Sequence, residues 1–296
     1  ATEEWTGSGA PVGAWATANN LNTARQAMGG CGIATAALAA GGDNPPSSPE
    51  YLDLCESYNG TNWTAVNTLN TGRRMLGLAG TNTSALAFGG GTPPPVTGAT
   101  ESWNGSNWTE VNDLNTARER LGSAGADNTS ALAFGGGPPD TGDTELWNGS
   151  NWTEVNNMNS ARRELGSCGI ATAALGFGGG PPPSPTANTE SWNGTNWTEV
   201  NNLNTARYDL SGAGITTSAL AFGGDAPPVT GKTEQWNGIS WVEVADLSTA
   251  RYQFGQAGAS GTSALAFGGI LSPGANTAAT EKWSGSSTTT KTVDTD

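Results

Sequence analysis

The sequence contains no histidine among its 296 residues. That absence excludes a Ser-His-Asp triad, a Cys-His dyad and any His-ligated metal site. Charge is scarce, at 13% of residues against the usual quarter. Only 12 residues are Lys or Arg, against 26 Asp or Glu, for a net charge of -14. Such a chain lacks the clustered cations that nucleic-acid binding needs. No run of about 18 apolar residues occurs, so no helix is expected to span a membrane. Strong helix formers are diluted throughout by Gly, Asn, Thr and Pro. The three cysteines cannot all pair with one another.

What the chain does have is 44 Gly and 16 Pro, together about a fifth of its length. Average usage is roughly 12%. Two classes fit that composition: a disordered low-complexity chain, or an all-β protein with many tight turns. The 12 Trp favour the second, because disordered chains are poor in aromatics.

Self-comparison gives the organisation. The string beginning at Trp103 recurs with small changes at Trp147, Trp192 and Trp236, a repeat of 44–45 residues. Looser copies begin at Trp5, Tyr58 and Trp283. Each unit holds four short segments. One opens on Arg25, Arg73, Arg118, Arg162, Arg207 or Arg251 and runs R-x-x-L/M-G-x-A/C-G with small variations. The next resembles A-L-A-F-G-G, and its glycine pairs permit positive φ at a strand end. The third is T-E-x-W and the fourth W-T-E-V. These are four to seven residues long, rich in aromatic or β-branched residues, and bounded by turn residues, which predicts strands. Asn-Gly between the third and fourth predicts a tight hairpin with positive φ at both residues. Four strands per repeat is the arithmetic of a propeller blade.

Six Arg segments and six Gly-Gly segments predict six blades, with seven as the alternative. Seven aromatic third segments leave one half-blade over at residues 1–18, ahead of the propeller at 19–296. This extra N-terminal hairpin has three available places. It packs on the ring, replaces the degenerate segment Thr288–Val293, or pairs with another molecule. Ala1 reads as a processed or truncated start.

The order A-L-A-F-G-G, T-E-S-W, N-W and T-A-R resembles the kelch repeat over nearly the whole chain. The wording T-A-R-x-x-L-G-x-A-G is also similar to kelch-like structural proteins of marine phages. That resemblance implies a virion-associated or other extracellular structural protein. Kelch-type oxidases hold copper with His and Tyr, and this chain has no His.

Residues repeated in every blade read as architecture. The arginines are expected to pair with Glu56, Glu101, Glu145, Glu190, Glu234 and Glu281, or to stack on Trp. The competing reading is a ring of acidic ligands around the channel. Trp103, Trp108, Trp147, Trp152, Trp192, Trp197, Trp236 and Trp241 read as filler between sheets. Cys31, Cys55 and Cys168 read as small buried residues. Ten Asn-x-Ser/Thr sequons follow from the turn pattern.

Residues that differ between copies are the functional candidates. They lie in the Pro-rich loops after Gly-Gly and in the pair after each Arg. The latter gives Gln26, Arg74, Glu119, Arg120, Arg163, Glu164, Tyr208, Asp209, Tyr252 and Gln253. Strand parity puts both stretches on one face, around the channel mouth. Tyr208 and Tyr252 would stack a sugar or peptide, and Arg74, Arg120 and Arg163 would meet an acidic glycan. No residue is singled out for catalysis, and no cofactor is called for. The expected function is a non-enzymatic structural or adhesive propeller on a tail fibre, capsid or head fibre. The expected partners are its own copies, other virion proteins or a cell-surface glycan. The alternative is a subunit of a bacterial extracellular filament or a polysaccharide-binding module.

Overall fold

The computed structural model describes residues 13–45, 51–92, 95–180 and 183–285. Within them there is no helix, and six sheets of four antiparallel strands follow one another around a ring. Blade 1 runs from its inner strand Gly29–Ile33 through Ala36–Ala40 and Cys55–Tyr58 to its outer strand Trp63–Val66. Blades 2 to 5 repeat this order, with inner strands Gly77–Gly80, Gly122–Asp127, Gly166–Ile170 and Ser211–Ile215. Each inner strand adjoins the next, and Gly255–Ser260 of blade 6 closes onto Gly29–Ile33. The β-propeller therefore has six blades.

The sixth blade settles where the N-terminal segment goes. Its outer strand is Ala14–Ala18, paired antiparallel with Thr280–Ser284 so that Trp15 faces Trp283. Of the three places left open by the sequence, this is the fourth-strand position of the sixth blade. Ala14–Ala18 is thus part of the propeller rather than an appendage before residue 19. Residues 1–12 and the segment Thr288–Val293 lie outside the described residues.

The repeated residues explain why these sheets form and stay together. Each Gly-Gly ends a second strand with both φ values positive, as in Gly41 at +68° and Gly42 at +105°. A Cβ on Gly41 would sit 2.5 Å from the Arg73 carbonyl oxygen, so the next Arg segment packs directly on it. The Asn-Gly turn differs from expectation. Only its Gly has positive φ, and the loop is four residues long, Asn59 to Asn62 in blade 1. The Asn59 side chain accepts the N–H groups of Thr61 and Asn62, which fixes the turn without a left-handed Asn.

Between blades the outer Trp is a two-point lock. Its indole N–H donates to the Thr hydroxyl of the preceding blade's third strand at 3.0–3.2 Å, from Trp15, Trp63, Trp152, Trp197 and Trp241. Its ring meets that blade's second-strand Phe with centroids 4.7–5.0 Å apart. Outside, Asn19, Asn67, Asn112, Asn156 and Asn201 each reach the next blade's outer turn through the side-chain amide.

The seam between blades 1 and 2 lacks both points. Ala40 stands where other blades have Phe, and Leu78 of blade 2 packs into the same cluster to fill the space. Cys55 stands where others have Thr, and the buried Trp108 Nε1 finds no oxygen or nitrogen acceptor. We therefore expect Cys55→Thr to stabilise the protein by about 1 kcal/mol, the net worth of one buried hydrogen bond. Thermal and urea unfolding of the two proteins measure this. A Thr variant no more stable than the parent removes the argument.

Cys31, Cys55 and Cys168 are buried thiols, as the sequence suggested. Burial raises all three, Cys55 and Cys168 to about 12. Thiolate chemistry is thereby suppressed near neutral pH.

Candidate functional site

Three sets of charged residues compete for attention, and the structure separates them. The first is the once-per-blade Arg and Glu. Arg25–Glu56, Arg73–Glu101, Arg118–Glu145, Arg162–Glu190 and Arg207–Glu234 pair at 2.5–3.2 Å, and Arg251–Glu281 pair likewise. All twelve side chains are buried. The second carboxylate oxygen accepts a backbone N–H at 2.7–2.8 Å, from Asn22, Asn70, Asn115, Asn159, Asn204 or Ser248. The guanidinium also donates to carbonyls of its own blade, as Arg162 does to Ser160 and Gly176. Each pair thus clips the segment entering a blade to that blade's third strand. These carboxylates do not line the channel, so the ring of acidic ligands is absent.

The second set is the variable loop face. The first residue of each variable pair bonds to the Pro-rich loop of its own blade. Gln26 exchanges two backbone hydrogen bonds with Asp43, Arg74 with Gly91, Glu119 with Gly137 and Tyr208 with Asp225. In blade 6, Arg251–Tyr252 pairs with Ile270–Leu271 and that strand with Ala275–Asn276. The two variable stretches therefore do share a face. The three candidate arginines are paired inside the molecule. Arg74 meets Asp43 at 2.8 Å and lies over the Tyr51 ring, Arg163 meets Asp140 at 3.2 Å, and Arg120 meets Glu119 and Glu164. Tyr208 donates to Asp225 at 3.2 Å, and Tyr208 and Tyr252 are half-buried. The partners Asp43, Asp140 and Asp225 were not among the sequence candidates. Their signal was an acid placed shortly after Gly-Gly in three of six loops, counting Asp140.

Backbone geometry defines the third set, the second residue of each pair.

 These are Ala27, Met75, Arg120, Glu164, Asp209 and Gln253, and the loop acids named above belong to blades 1, 3 and 5. All six residues have φ between 52° and 59°, the left-handed region that non-glycine residues rarely enter. Each N–H donates to the carbonyl of its counterpart in the preceding blade: Met75 to Ala27, Arg120 to Met75, Glu164 to Arg120, Asp209 to Glu164, Gln253 to Asp209 and Ala27 to Gln253. The distances are 2.7–3.2 Å, and the six bonds close a circle around the channel mouth. No side-chain pattern announced this ring, because its members share a backbone conformation and little else.

A cavity of about 100 Å³ lies at this mouth, lined in part by Met75, Arg120, Glu164, Asp209, Gln253 and Ser211. Arg120 pairs with Glu164, and Gln253 Nε2 donates to Asp209 Oδ2 at 2.9 Å. Burial raises the Glu164 carboxyl against the pull of Arg120 and Arg163. Burial and the neighbouring Glu164 push Asp209 up to about 8, with Asp225 adding to the rise and Gln253 and Arg120 opposing it.

The sign of the linked stability follows. Between about pH 4 and pH 8 the folded chain holds a proton on Asp209 that the unfolded chain has lost. Stability therefore falls as pH rises through that window. Asp209→Asn removes the effect and keeps an oxygen for Gln253 to donate to. We expect the variant to gain on the order of 2 kcal/mol over the parent at pH 9, and nothing at pH 4. Parallel melting curves from pH 4 to pH 9 decide the matter, and identical pH slopes would sink it.

At the opposite mouth a cavity of about 230 Å³ is lined by small residues. Its rim carries three exposed isoleucines, Ile33, Ile170 and Ile215. Among the described residues, no group of three or more Cys, Asp or Glu is placed to hold a metal ion.

A scan against protein-family models finds no match to this chain, and neither does a search of curated proteins.

Proposed function

We propose that the protein is a non-enzymatic display module, a rigid six-bladed ring that presents one variable face to a partner. The observation that carries this reading is the division of the repeat. The Arg–Glu clips and most of the Trp locks keep the same partners from blade to blade, while the unlike residues gather on the loop face. A fixed frame beneath variable loops is how scaffolds carry binding functions. The setting we propose is a virion surface or similar extracellular assembly, in keeping with the resemblance to phage kelch-like proteins.

The internal pairing of Arg74, Arg120 and Arg163 leaves Tyr208 and Tyr252, on adjacent blades, as the better contact for a neutral sugar ring or an extended peptide. A glycan array with the parent and the double variant Tyr208→Ala, Tyr252→Ala tests the face. Binding should drop at least tenfold in the variant. Undiminished binding by a folded variant would move the site elsewhere.

A further inference from the structure

The seam where blade 6 meets blade 1 departs from the other five at four matching positions. On the outer strand, Ala16 stands where the other blades have Thr or, in blade 5, Val242, and Ala18 stands where they have Val. Across the seam, Tyr58 stands where they have Trp. At the other seams that Val and that Trp pack in one apolar cluster, as Val66 does with Trp103. Here the smaller side chains leave a groove of about 300 Å³, open to solvent and bordered in part by Ala16, Ala18, Tyr58, Thr61, Lys282 and Ser284. Lys282 is the fourth departure, since its counterparts are Ser57, Ser102, Leu146, Ser191 and Gln235. It lies directly opposite Ala16 in the strand pairing, so both side chains share one face of the sheet. Among the described Lys and Arg residues, Lys282 alone has no acidic partner. No Asp or Glu borders the groove, in a chain that has 26 of them. Tyr58 adds an unused polar group. The Trp at its position in every other blade donates to a carbonyl of that blade's first turn at 2.9–3.1 Å. Tyr58 is 2% exposed, yet its hydroxyl makes no hydrogen bond among the described residues, and the oxygen is not sealed from solvent.

We propose that this groove binds one hexuronate residue of an acidic glycan, with its carboxylate on Lys282 and its ring hydroxyls along Tyr58, Thr61 and Ser284. An ammonium with no acid beside it selects an anion, and the bond it makes to a carboxylate is charge-assisted. The hydroxyls of Tyr, Thr and Ser both donate and accept, as sugar hydroxyls do. Ala16 and Ala18 offer methyl groups to the C–H face of the ring. An apolar cavity of about 150 Å³ takes benzene. On that scale about 300 Å³ takes roughly twelve non-hydrogen atoms, the size of one uronic acid ring with its carboxylate. A neutral sugar leaves the ammonium unpaired, and a bare carboxylate leaves most of the groove unfilled. The groove shares no residue with the loop-face candidates, and it stands whether or not that face binds a ligand.

The test is calorimetric titration of the full chain with methyl glucuronide, methyl glucoside and acetate. We expect one site per chain for the glucuronide, with a dissociation constant of about 1 mM, and at least tenfold weaker binding of the other two. Lys282→Gln introduces the residue that blade 5 carries at this position, and should weaken glucuronide binding at least tenfold. Ala18→Val restores the residue of the other outer strands, so it should keep the fold, fill the groove and abolish binding. Tyr58→Phe should weaken binding severalfold. Absence of saturable glucuronide binding overturns the proposal, as does binding that survives both Lys282→Gln and Ala18→Val. Glucoside binding as tight as the glucuronide's removes the role of Lys282, and acetate binding as tight removes the assignment to a sugar. The double variant Tyr208→Ala, Tyr252→Ala reads the loop face separately and should bind the glucuronide as the parent does. Loss of glucuronide binding in that variant would place the ligand on the loop face and overturn the groove.

Discussion

Arg118→Ala should cost about 3–5 kcal/mol of stability, measured by urea unfolding at neutral pH. Glu145 is the reason. Its side chain is buried, one oxygen faces Arg118 at 2.6 Å, and the other takes the backbone and side-chain N–H groups of Asn115 at 2.8 Å. Removing the guanidinium leaves a carboxylate out of water with no opposite charge. It also frees the carbonyls of Thr116 and Ala133 that Arg118 contacts. The loss measures a broken pair and says little about the net worth of the intact one. Replacing both partners by apolar residues of similar volume should therefore cost much less than Arg118→Ala alone. The double substitution Arg118→Met, Glu145→Leu provides that comparison. A cost below about 1 kcal/mol for Arg118→Ala would mean the clip is ornamental.

The second large effect concerns Trp15. We expect Trp15→Ala to cost about 3–5 kcal/mol from lost burial and cavity formation. It loses a 3.0 Å hydrogen bond to Thr233 and ring contacts with Phe222 at 4.9 Å and Trp283 at 5.5 Å. Trp197 holds the same position in blade 4, with the same kind of Thr and Phe partners. The difference is tethering. The strand Trp197–Val200 is joined to Thr189–Trp192 by a four-residue turn, whereas Ala14–Ala18 reaches Thr280–Ser284 from the far end of the chain. Trp15→Ala should therefore be the more damaging of the two, and should speed amide exchange along Thr280–Ser284. Equal costs for the two substitutions, with unchanged exchange, would show that the closure is no weaker than any other seam.

The parts of this molecule that could be read from the sequence are those copied from blade to blade. Arg118 and Glu145 recur at fixed spacing with their counterparts, and so do Trp147 and Trp152, so repetition itself marked them as frame. The glycine pairs declared their positive φ because glycine is the residue that tolerates it. The channel ring stayed hidden for the opposite reason. Ala27, Met75 and Arg120 occupy the left-handed region without any residue type that signals it, held there by neighbours in the ring. The Asn-Gly turn misled because Asn59 works through its side chain rather than its backbone. Arg74 and Arg163 misled because their partners Asp43 and Asp140 sit in irregular loops, where spacing carries no information. The N-terminal strand had three destinations that sequence weighed alike, and only the register of Trp15 on Trp283 chose one.

That closure also fixes an order of events during synthesis. Ala14–Ala18 leaves the ribosome before any other described strand, yet its partner Thr280–Ser284 is the last to appear. The strand waits, edges unpaired, while five complete blades form behind it. Its residues, Ala-Trp-Ala-Thr-Ala, hold one large apolar side chain, which limits the hazard of a premature pairing. At high concentration the same delay would let the first strand of one chain finish the sixth blade of another, linking rings into pairs or chains without a single new contact.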